Sequence, residues 1–238
     1  MQSTMFSVAI LAGGLATRLR PITETIPKAL IDVAGKPFIV RQLEYLRSQE
    51  IRRVVLCIGH LGEMIEAEIG NGKSLGLEVV YSADGDVLLG TGGALKKALP
   101  TLGDDFFVLY GDSFLPINFL EVQNAYISQK KPALMTVLKN ANQWDKSNVE
   151  FRDGVIKEYN KHAPKPEMHY IDYGLGLINS KALSTYSMNE SFDLADFYGP
   201  LSQKSQLAGC EVHERFYEIG SHSGLKETEE YFKVKEQR

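Results

Sequence analysis

The chain has 238 residues, of which 44% are hydrophobic and 24% charged, as expected for a globular protein with a sizeable core. Its 26 basic and 30 acidic residues give a formal net charge of −4, which argues against nucleic acid as the main partner. No apolar run reaches the roughly 18 residues of a membrane span, and the two cysteines lack metal-ligand spacing, so no membrane association and a cytoplasmic location are expected.

Apolar runs and helix-like spacings alternate along the first 139 residues. The runs predict strands, and apolar positions three or four residues apart predict helices. This alternation is typical of an α/β fold with a doubly wound, mainly parallel, Rossmann-like sheet, whose ligands bind beyond the carboxyl ends of the strands. The predicted strands are residues 6–11, 53–58, 77–81, 106–110 and 133–138, and the predicted helices are 37–48, 61–69, 91–99 and 119–128.

The pattern changes after residue 140. Segments 149–151 and 155–159 flank Asp153-Gly154, a typical hairpin turn. Further strands are predicted at 171–178 and 216–219, and a closing helix at 224–236. Because no linker rich in Ser, Pro or Gly divides the chain, we expect one domain, 1–238, whose second part, 140–238, adds a small antiparallel lobe.

The stretch LAGGLATRLRPITETIPKAL, residues 11–30, directly continues the first predicted strand. Gly13 and Gly14 allow close approach of a ligand to the backbone, whose N–H groups can hold phosphates. The segment is neither a Walker A loop nor GxGxxG, and by itself a turn with ordinary surface charges is the alternative. Side chains suited to phosphate oxygens follow the glycines: Thr17, Arg18, Arg20 and Lys28.

Two more turns have chemical potential. LGTGGAL, residues 89–95, starts a predicted helix, and VLYGDS, residues 108–113, ends a predicted strand with Asp112. A carboxylate in that place can hold Mg²⁺ against phosphate oxygens. The alternatives are a helix start capped by Thr91 and an aspartate that caps the next turn.

The first stretch closely resembles LAGGxGTRLxPxTxxxPKxL, the signature of the sugar-phosphate nucleotidyltransferases. It departs at Ala16, where the family usually has Gly and a left-handed conformation would be strained. Residues 89–95 resemble the base-recognition loop of this family, and Gly111-Asp112 resemble its metal-binding Gly-Asp. EYNKHAPKPEMHYIDYGLGLI, 158–178, and YEIGSHSGLKETEEY, 217–231, resemble its sugar-binding and closing motifs, with Glu218 in place of the usual Asp.

This resemblance implies an enzyme of nucleotide-sugar biosynthesis that converts an NTP and a sugar 1-phosphate to an NDP-sugar and pyrophosphate, with Mg²⁺ as cofactor. Residues 1–139 would be the nucleotide-binding half and 140–238 the sugar-binding half. The implied catalytic residues are Arg18, Lys28 and Asp112. The implied nucleotide-binding residues are Leu11, Ala12, Gly13, Gly14, Thr17, Gly92 and Gly93. The implied sugar-phosphate-binding residues are Lys161, Asp172 and Gly174, and the implied metal ligands are Asp112 and Glu218.

The motif LGTGGA most resembles short guanylyltransferases, which favours GTP and a manno-configured heptose or mannose 1-phosphate. UTP, CTP and dTTP, and a phosphocholine-like acceptor, are alternatives within the same chemistry. Glu218 also keeps open a non-catalytic nucleotide-sugar sensor, because a decayed metal site could still bind nucleotide. Many relatives self-associate, so a homo-oligomer is compatible with the resemblance.

Overall fold

The computed structural model describes residues 4–185 and 191–237. The strands in these ranges are β1 Ser7–Leu11, β2 Asp32–Val33, β3 Lys36–Pro37, β4 Arg53–Ile58, β5 Glu78–Ala83, β6 Asp105–Tyr110, β7 Ser113–Phe114, β8 Ala133–Lys139, β9 Val149–Arg152, β10 Val155–Tyr159, β11 Tyr170–Asn179, β12 Leu207–Val212 and β13 Tyr217–Glu218. The α-helices there are α1 Phe38–Ser48, α2 Gly62–Ile69, α3 Gly90–Ala98, α4 Phe119–Gln129, α5 Ser180–Leu183, α6 Leu194–Gln203 and α7 His222–Glu236.

Nine of these strands form one sheet in the order β5-β4-β1-β6-β11-β8-β12-β10-β9. The first four strands in this order are parallel to one another. Strand β11 runs antiparallel to both of its neighbours, β6 and β8, and β12 is parallel to β8. Strands β10 and β9 form an antiparallel pair at the far edge.

The sheet is therefore mixed, and the prediction of a mainly parallel sheet is confirmed in part: β5, β4, β1 and β6 are parallel to one another, as are β8 and β12, whereas β11, β10 and β9 make antiparallel pairs. Strands β9 to β12 complete the same sheet, so they do not form the separate antiparallel lobe that we predicted, and β13 pairs with β7 in a small sheet of two strands. Helix α4 connects β6 to β8 as predicted, but the two strands are not adjacent. The later, mostly buried β11 lies between them, and sequence alternation cannot show this order.

Alternate residues of the central strands point to two different cores. Val8 and Ile10 of β1 pack with apolar residues of α1, α2 and α4, whereas Ala9 packs on the other side with residues of α3 and α6. Side chains of a strand alternate between the two faces of a sheet, so burial of both faces requires helices on both. The predicted α/β fold with two helical layers is confirmed.

The sequence did not predict α6 or β12. Helix α6 contains Gly199 and Pro200, two residues of low helix propensity. Its buried apolar side chains and the hydrogen bonds at its N-terminus offset this cost. Asp193 and Asp196 form a capping box at its first turn. No helix among the described residues is long and apolar enough to cross a membrane.

Candidate active site

The glycine loop, residues 11–16, begins at the end of β1, and the turn with Asp112 follows β6. The two lie side by side because β1 and β6 are neighbouring strands. Leu11 at the end of β1 is in register with Tyr110 at the end of β6. The N–H of Gly111 donates to the carbonyl of Leu11 at 3.0 Å, and the N–H of Ala12 donates to Cys57 of β4 at 2.8 Å. Both turns follow the carboxyl ends of neighbouring parallel strands and therefore open at the same edge of the sheet.

Close backbone packing explains two glycines at this edge. A Cβ on Gly13 would lie 3.1 Å from the backbone nitrogen of Gly59, and one on Gly111 would lie 2.6 Å from the carbonyl oxygen of Leu11. Gly14 has no atom within 4 Å of its Cβ position and is open to a ligand. The turns are thus tied to the sheet on one side and free on the other.

The strand ends enclose a first cavity of about 240 Å³. Six of its lining residues belong to the motif at residues 11–30, and the others come from the ends of β5 and β6 and from the start of α3. The lining residues are Leu11, Ala12, Gly13, Gly14, Lys28, Ala29, Asp84, Leu88, Gly90, Thr91, Ala94, Tyr110, Gly111 and Asp112.

Lys28 points to the carboxylate predicted to bind metal. Its Nζ lies 2.6 Å from Asp112 Oδ2, and both side chains are largely shielded from solvent. Thr17 is exposed at the start of the 3₁₀ turn Thr17–Leu19 and is outside the lining of the first cavity. The structure therefore brings Lys28, but not Thr17, against this cavity.

Ala16 has left-handed backbone angles, φ 49° and ψ 43°. Its carbonyl accepts hydrogen bonds from Thr23 Oγ1 at 2.9 Å and from the Leu19 N–H at 3.1 Å, which hold it in place. The strain expected where Ala replaces Gly is therefore present in this chain.

Gly92 and Gly93 do not line the first cavity, although they lie in the predicted loop. Both are buried within α3, and a Cβ on Gly92 would overlap the ring of Phe192. The N–H of Gly92 donates to the Phe192 carbonyl at 3.0 Å. Their neighbours Gly90 and Thr91 line the cavity instead. Helix α3 begins at Gly90, one residue before the predicted start.

A second cavity, of about 430 Å³, adjoins the first and shares Tyr110 and Asp112 with it. It is bordered by residues from widely separated parts of the chain. The lining residues are Arg18, Tyr110, Asp112, Ser113, Trp144, Asp145, Ile171, Asp172, Tyr173, Gly174, Phe216, Glu218, Ser221 and Ser223. Arg18 is therefore placed with the second cavity and not with the glycine loop.

Asp172 and Gly174 reach the second cavity through an irregularity in β11, between Asp172 and Gly176. Gly174 has a φ of +98°, which favours glycine, and its N–H donates to Asp172 Oδ1 at 3.0 Å. Burial raises the pKa of Asp172 to about 6, although the Gly174 N–H and the charge of Lys161 lower it.

Lys161 is outside the lining of both cavities. Its Nζ lies 2.7 Å from Oδ2 of Asp193, the capping residue of α6, and its side chain is 44% exposed. Burial of Asp193 opposes its ionisation, but the hydrogen bonds from Lys161 and the Ala195 N–H lower its pKa overall. The positive charge of Lys161 therefore acts on Asp172, while its ammonium is hydrogen-bonded to Asp193 at the start of α6.

Glu218 of β13 faces Asp112 across a small space. A Cβ on Gly220 would lie 2.8 Å from Glu218 Oε2, 3.2 Å from Asp112 Oδ2 and 3.2 Å from Arg18 Nη2. The Glu218 carboxylate also accepts from the Gly220 N–H and, at 2.6 Å, from Ser221 Oγ. The side chain of Glu218, one methylene longer than the usual Asp, therefore bends back over residues 220–221.

This donor set suits Mg²⁺, which proteins commonly hold through one or two carboxylates together with substrate phosphates. Among residues 4–185 and 191–237, no three His, Cys, Asp or Glu side chains group as a metal site. Phosphate oxygens would have to complete the coordination. Asp112 and Glu218 fit such a shared site.

Comparison with known families decides what kind of site this is. The model of the nucleotidyl transferase family matches residues 7–163, which include the glycine loop and Asp112. The chain belongs to the sugar-phosphate nucleotidyltransferase family. The prediction that it is an enzyme of this family is confirmed.

Members of the family resemble the chain over most of its length. It is 31% identical over 214 residues to D-glycero-alpha-D-manno-heptose 1-phosphate guanylyltransferase of Campylobacter jejuni, covering 89% of the chain and 93% of the relative. Mannose-1-phosphate guanylyltransferase catalytic subunit beta of Drosophila melanogaster is 28% identical over 89% of the chain, which spans only 58% of that protein. Uridylyltransferases of Synechocystis and Neisseria meningitidis also match about half of the chain.

A solved structure shows the same fold. HddC of Yersinia pseudotuberculosis superposes with a TM-score of 0.80 at 23% identity, covering 96% of this chain and all of that one. The mixed sheet found here is therefore a shared architecture.

Several cavity residues of this family member were not predicted from the motifs. Asp84 follows β5 and precedes Gly85, so it has the same strand-end signal as Asp112. Burial raises its pKa, and the Leu89 N–H donates to its Oδ2 at 3.2 Å and lowers it. Trp144 and Phe216 line the second cavity but lie outside the family motifs, and neither was predicted as a site residue. The signal that could have found Trp144 is that it is the single tryptophan of the chain.

Proposed function

We propose that the protein transfers a guanylyl group from GTP to a manno-configured heptose or mannose 1-phosphate and releases pyrophosphate. Two relatives that cover 89% of the chain carry guanylyltransferase names with manno-configured substrates. The observation that carries the proposal is the pair of adjoining cavities that meet at Tyr110 and Asp112. One cavity would take the nucleotide and the other the sugar phosphate.

The first cavity supports nucleotide binding through its backbone. Leu11, Ala12, Gly13 and Gly14 present the free side of the loop to it, and Lys28 adds a positive charge. Backbone N–H groups and a lysine suit the oxygens of a triphosphate. Thr17, Gly92 and Gly93 would act indirectly, by shaping the ends of this loop and of α3.

The second cavity supports the acceptor. Arg18 offers a guanidinium fork to a phosphate, while Asp172 and the backbone at Gly174 suit sugar hydroxyls. Lys161 would join the acceptor phosphate by exchanging its Asp193 partner for the phosphate. Asp193 would stay hydrogen-bonded after that exchange, since its Oδ1 also caps α6 by accepting from the Ala195 N–H.

The chemistry needs positioning and charge neutralisation more than proton transfer. A sugar phosphate oxygen is already anionic near pH 7 and can attack the α-phosphorus in line with departing pyrophosphate. No histidine lines either cavity in the described part of the chain, which agrees with a reaction that needs no general base. Arg18 and Lys28 would stabilise charge on the phosphates.

We propose Mg²⁺ as the cofactor, held by Asp112 and Glu218. When bound, it would neutralise phosphate charge and polarise the phosphoryl oxygens. In the structure, Lys28 balances the charge of Asp112. With Mg²⁺ on Asp112, the ammonium of Lys28 would be free to bind a phosphate. We also propose a cytoplasmic location, because Cys57 and Cys210 are both free thiols.

A pyrophosphate-release assay tests the proposal directly. GTP, UTP, CTP and dTTP would each be combined with mannose 1-phosphate, D-glycero-α-D-manno-heptose 1-phosphate, glucose 1-phosphate and phosphocholine, with and without Mg²⁺. We expect the fastest release from GTP with a manno-configured acceptor in the presence of Mg²⁺.

The other outcomes separate the alternatives. Faster release with UTP, CTP or dTTP would overturn the choice of base, and faster release with phosphocholine would overturn the sugar acceptor. If no pair released pyrophosphate although GTP bound, the sensor function would replace the enzymatic one.

A further inference from the structure

The only tryptophan of the chain borders the second cavity and has no role in the function proposed above. Trp144 lies in the loop between β8 and β9, and lines this cavity together with Asp145, Asp172 and Glu218. The residue is 36% exposed, so part of the indole is accessible from the cavity.

The loop that carries Trp144 is held by its own hydrogen bonds. Asn140 and Ser147 at its two ends are only 1% and 2% exposed. Asn140 donates to the Asp145 carbonyl at 2.6 Å and accepts from the Trp144 N–H at 3.2 Å. Ser147 Oγ accepts from the Asn142 N–H at 3.1 Å. The backbone at Trp144 is therefore fixed before any ligand enters.

Side chains from the segment before β13 hold the indole ring. Phe216 meets it edge to face with ring centroids 6.1 Å apart, and the Arg215 guanidinium lies 5.4 Å from its centroid. Phe216 in turn contacts Tyr173 of β11 at 5.9 Å. The ring thus belongs to an aromatic row along the wall of the cavity, and it retains its exposed part.

The chemistry around Trp144 fits a sugar ring better than a phosphate. The carboxylates of Asp145 and Asp172 can accept hydrogen bonds from hydroxyl groups, but they would repel a phosphate. A pyranose combines hydroxyls with a face of C–H groups, and such a face packs well on an aromatic ring. Arg18 lines the same cavity and offers the phosphate a separate place.

We propose that Trp144 is a specificity-determining residue whose indole packs against the C–H face of the sugar in the incoming sugar 1-phosphate. This inference rests on the proposed function and adds the residue that recognises the ring. The nucleotide is bound in the other cavity, so Trp144 acts on one substrate only.

Steady-state kinetics of Trp144→Ala and Trp144→Phe test this selectivity. With mannose 1-phosphate and GTP as probes, we expect Trp144→Ala to raise KM for mannose 1-phosphate roughly tenfold, the size of one aromatic contact, and to leave KM for GTP within about twofold. Trp144→Phe keeps a ring and should stay within about threefold of the wild-type KM. Thermal denaturation of both variants shows that they are folded.

Fluorescence provides an independent readout because Trp144 is the only tryptophan. Mannose 1-phosphate should change the emission of the wild-type protein with saturation, whereas inorganic phosphate at the same concentration should not. Trp144→Phe should lack this signal altogether, which assigns it to the indole.

The outcomes separate this inference from the proposed function. A KM for mannose 1-phosphate that Trp144→Ala leaves unchanged, an equal rise of both KM values, or an unchanged emission would overturn the inference while pyrophosphate release continued. If the wild-type protein released no pyrophosphate with any sugar 1-phosphate, the proposed function would fail and the inference with it.

Discussion

The two cavities on either side of Asp112 are built in different ways. The first is formed mainly by backbone at the ends of adjacent strands, where Gly13 and Gly111 allow the chain segments to touch. The second is formed by side chains from distant segments, such as Arg18, Asp172 and Glu218. Backbone geometry tolerates many side-chain changes, whereas a wall of side chains can change its ligand through single substitutions. We therefore expect single substitutions to change the acceptor that the second cavity binds more readily than the nucleotide that the first cavity binds.

The strongest test of this comparison is at the point where both cavities meet. Asp112→Asn and Lys28→Ala should each lower kcat roughly 10²-fold or more, since each removes one preorganised charge from the reacting phosphates. Pyrophosphate release measures this loss. Asp153→Asn, in the exposed β9–β10 turn, and Lys36→Ala, in a surface ion pair, are matched controls that should keep wild-type rates. A near-normal kcat in either test variant would remove that residue from the reaction.

The next largest effect should be confined to the acceptor. Lys161→Ala should raise KM for mannose 1-phosphate roughly tenfold and leave KM for GTP unchanged, because a charged hydrogen bond to the acceptor phosphate is lost. Lys165→Ala is the matched control, since Lys165 lies in the same loop as Lys161, pairs with Glu158 of β10 and lines neither cavity.

The role of Lys161 has a structural alternative, because it is paired with Asp193. If Lys161→Ala left both KM values unchanged and only lowered the melting temperature, the lysine would merely tie its loop to α6. Asp193→Asn keeps a capping side chain at α6 and removes the charge, so it tests the ion pair without removing the cap.

A smaller effect is expected from the pH dependence of the second cavity. Burial raises the pKa of Asp172 from 3.8 to about 6, so the folded state binds a proton more tightly than the unfolded chain. The free energy of unfolding should therefore fall as pH rises from about 4 to 6. Denaturant titrations should show that Asp172→Asn weakens this fall, whereas Asp153→Asn does not. An identical pH profile in wild type and Asp172→Asn would exclude Asp172 as the titrating group.

The smallest effect should come from Ala16, which stands in the glycine loop where the family usually has Gly. Ala16→Gly removes a left-handed alanine, which costs about 1–2 kcal/mol, but glycine loses more chain entropy on folding, about 0.5–1 kcal/mol. We expect the free energy of unfolding to rise by about 1 kcal/mol or less. Ala67→Gly, on the exposed side of α2, should lower it by about 1 kcal/mol. Equal destabilisation by both substitutions would show that Ala16 is unstrained.

The differences between the two cavities also explain which parts of the site could be predicted. Residues of the first cavity follow one another in a long motif after a strand, and Asp112 follows the neighbouring strand, so the edge they share could be inferred. The motif did not reveal that Gly92 packs on Phe192, because this contact spans a hundred residues of chain. It also did not reveal that Lys161 is engaged by Asp193 at the start of α6.

By itself, the sequence determined the α/β class, the two helical layers and the glycine loop with Asp112 at its side. These features depend on local periodicity and on glycines next to strand ends, which short segments encode. The tertiary structure decided that β11 lies between β6 and β8, that Lys28 meets Asp112 from 84 residues away, and that Trp144 borders the second cavity. Strand order and side-chain neighbours depend on packing between distant segments, and local patterns carry little information about that packing.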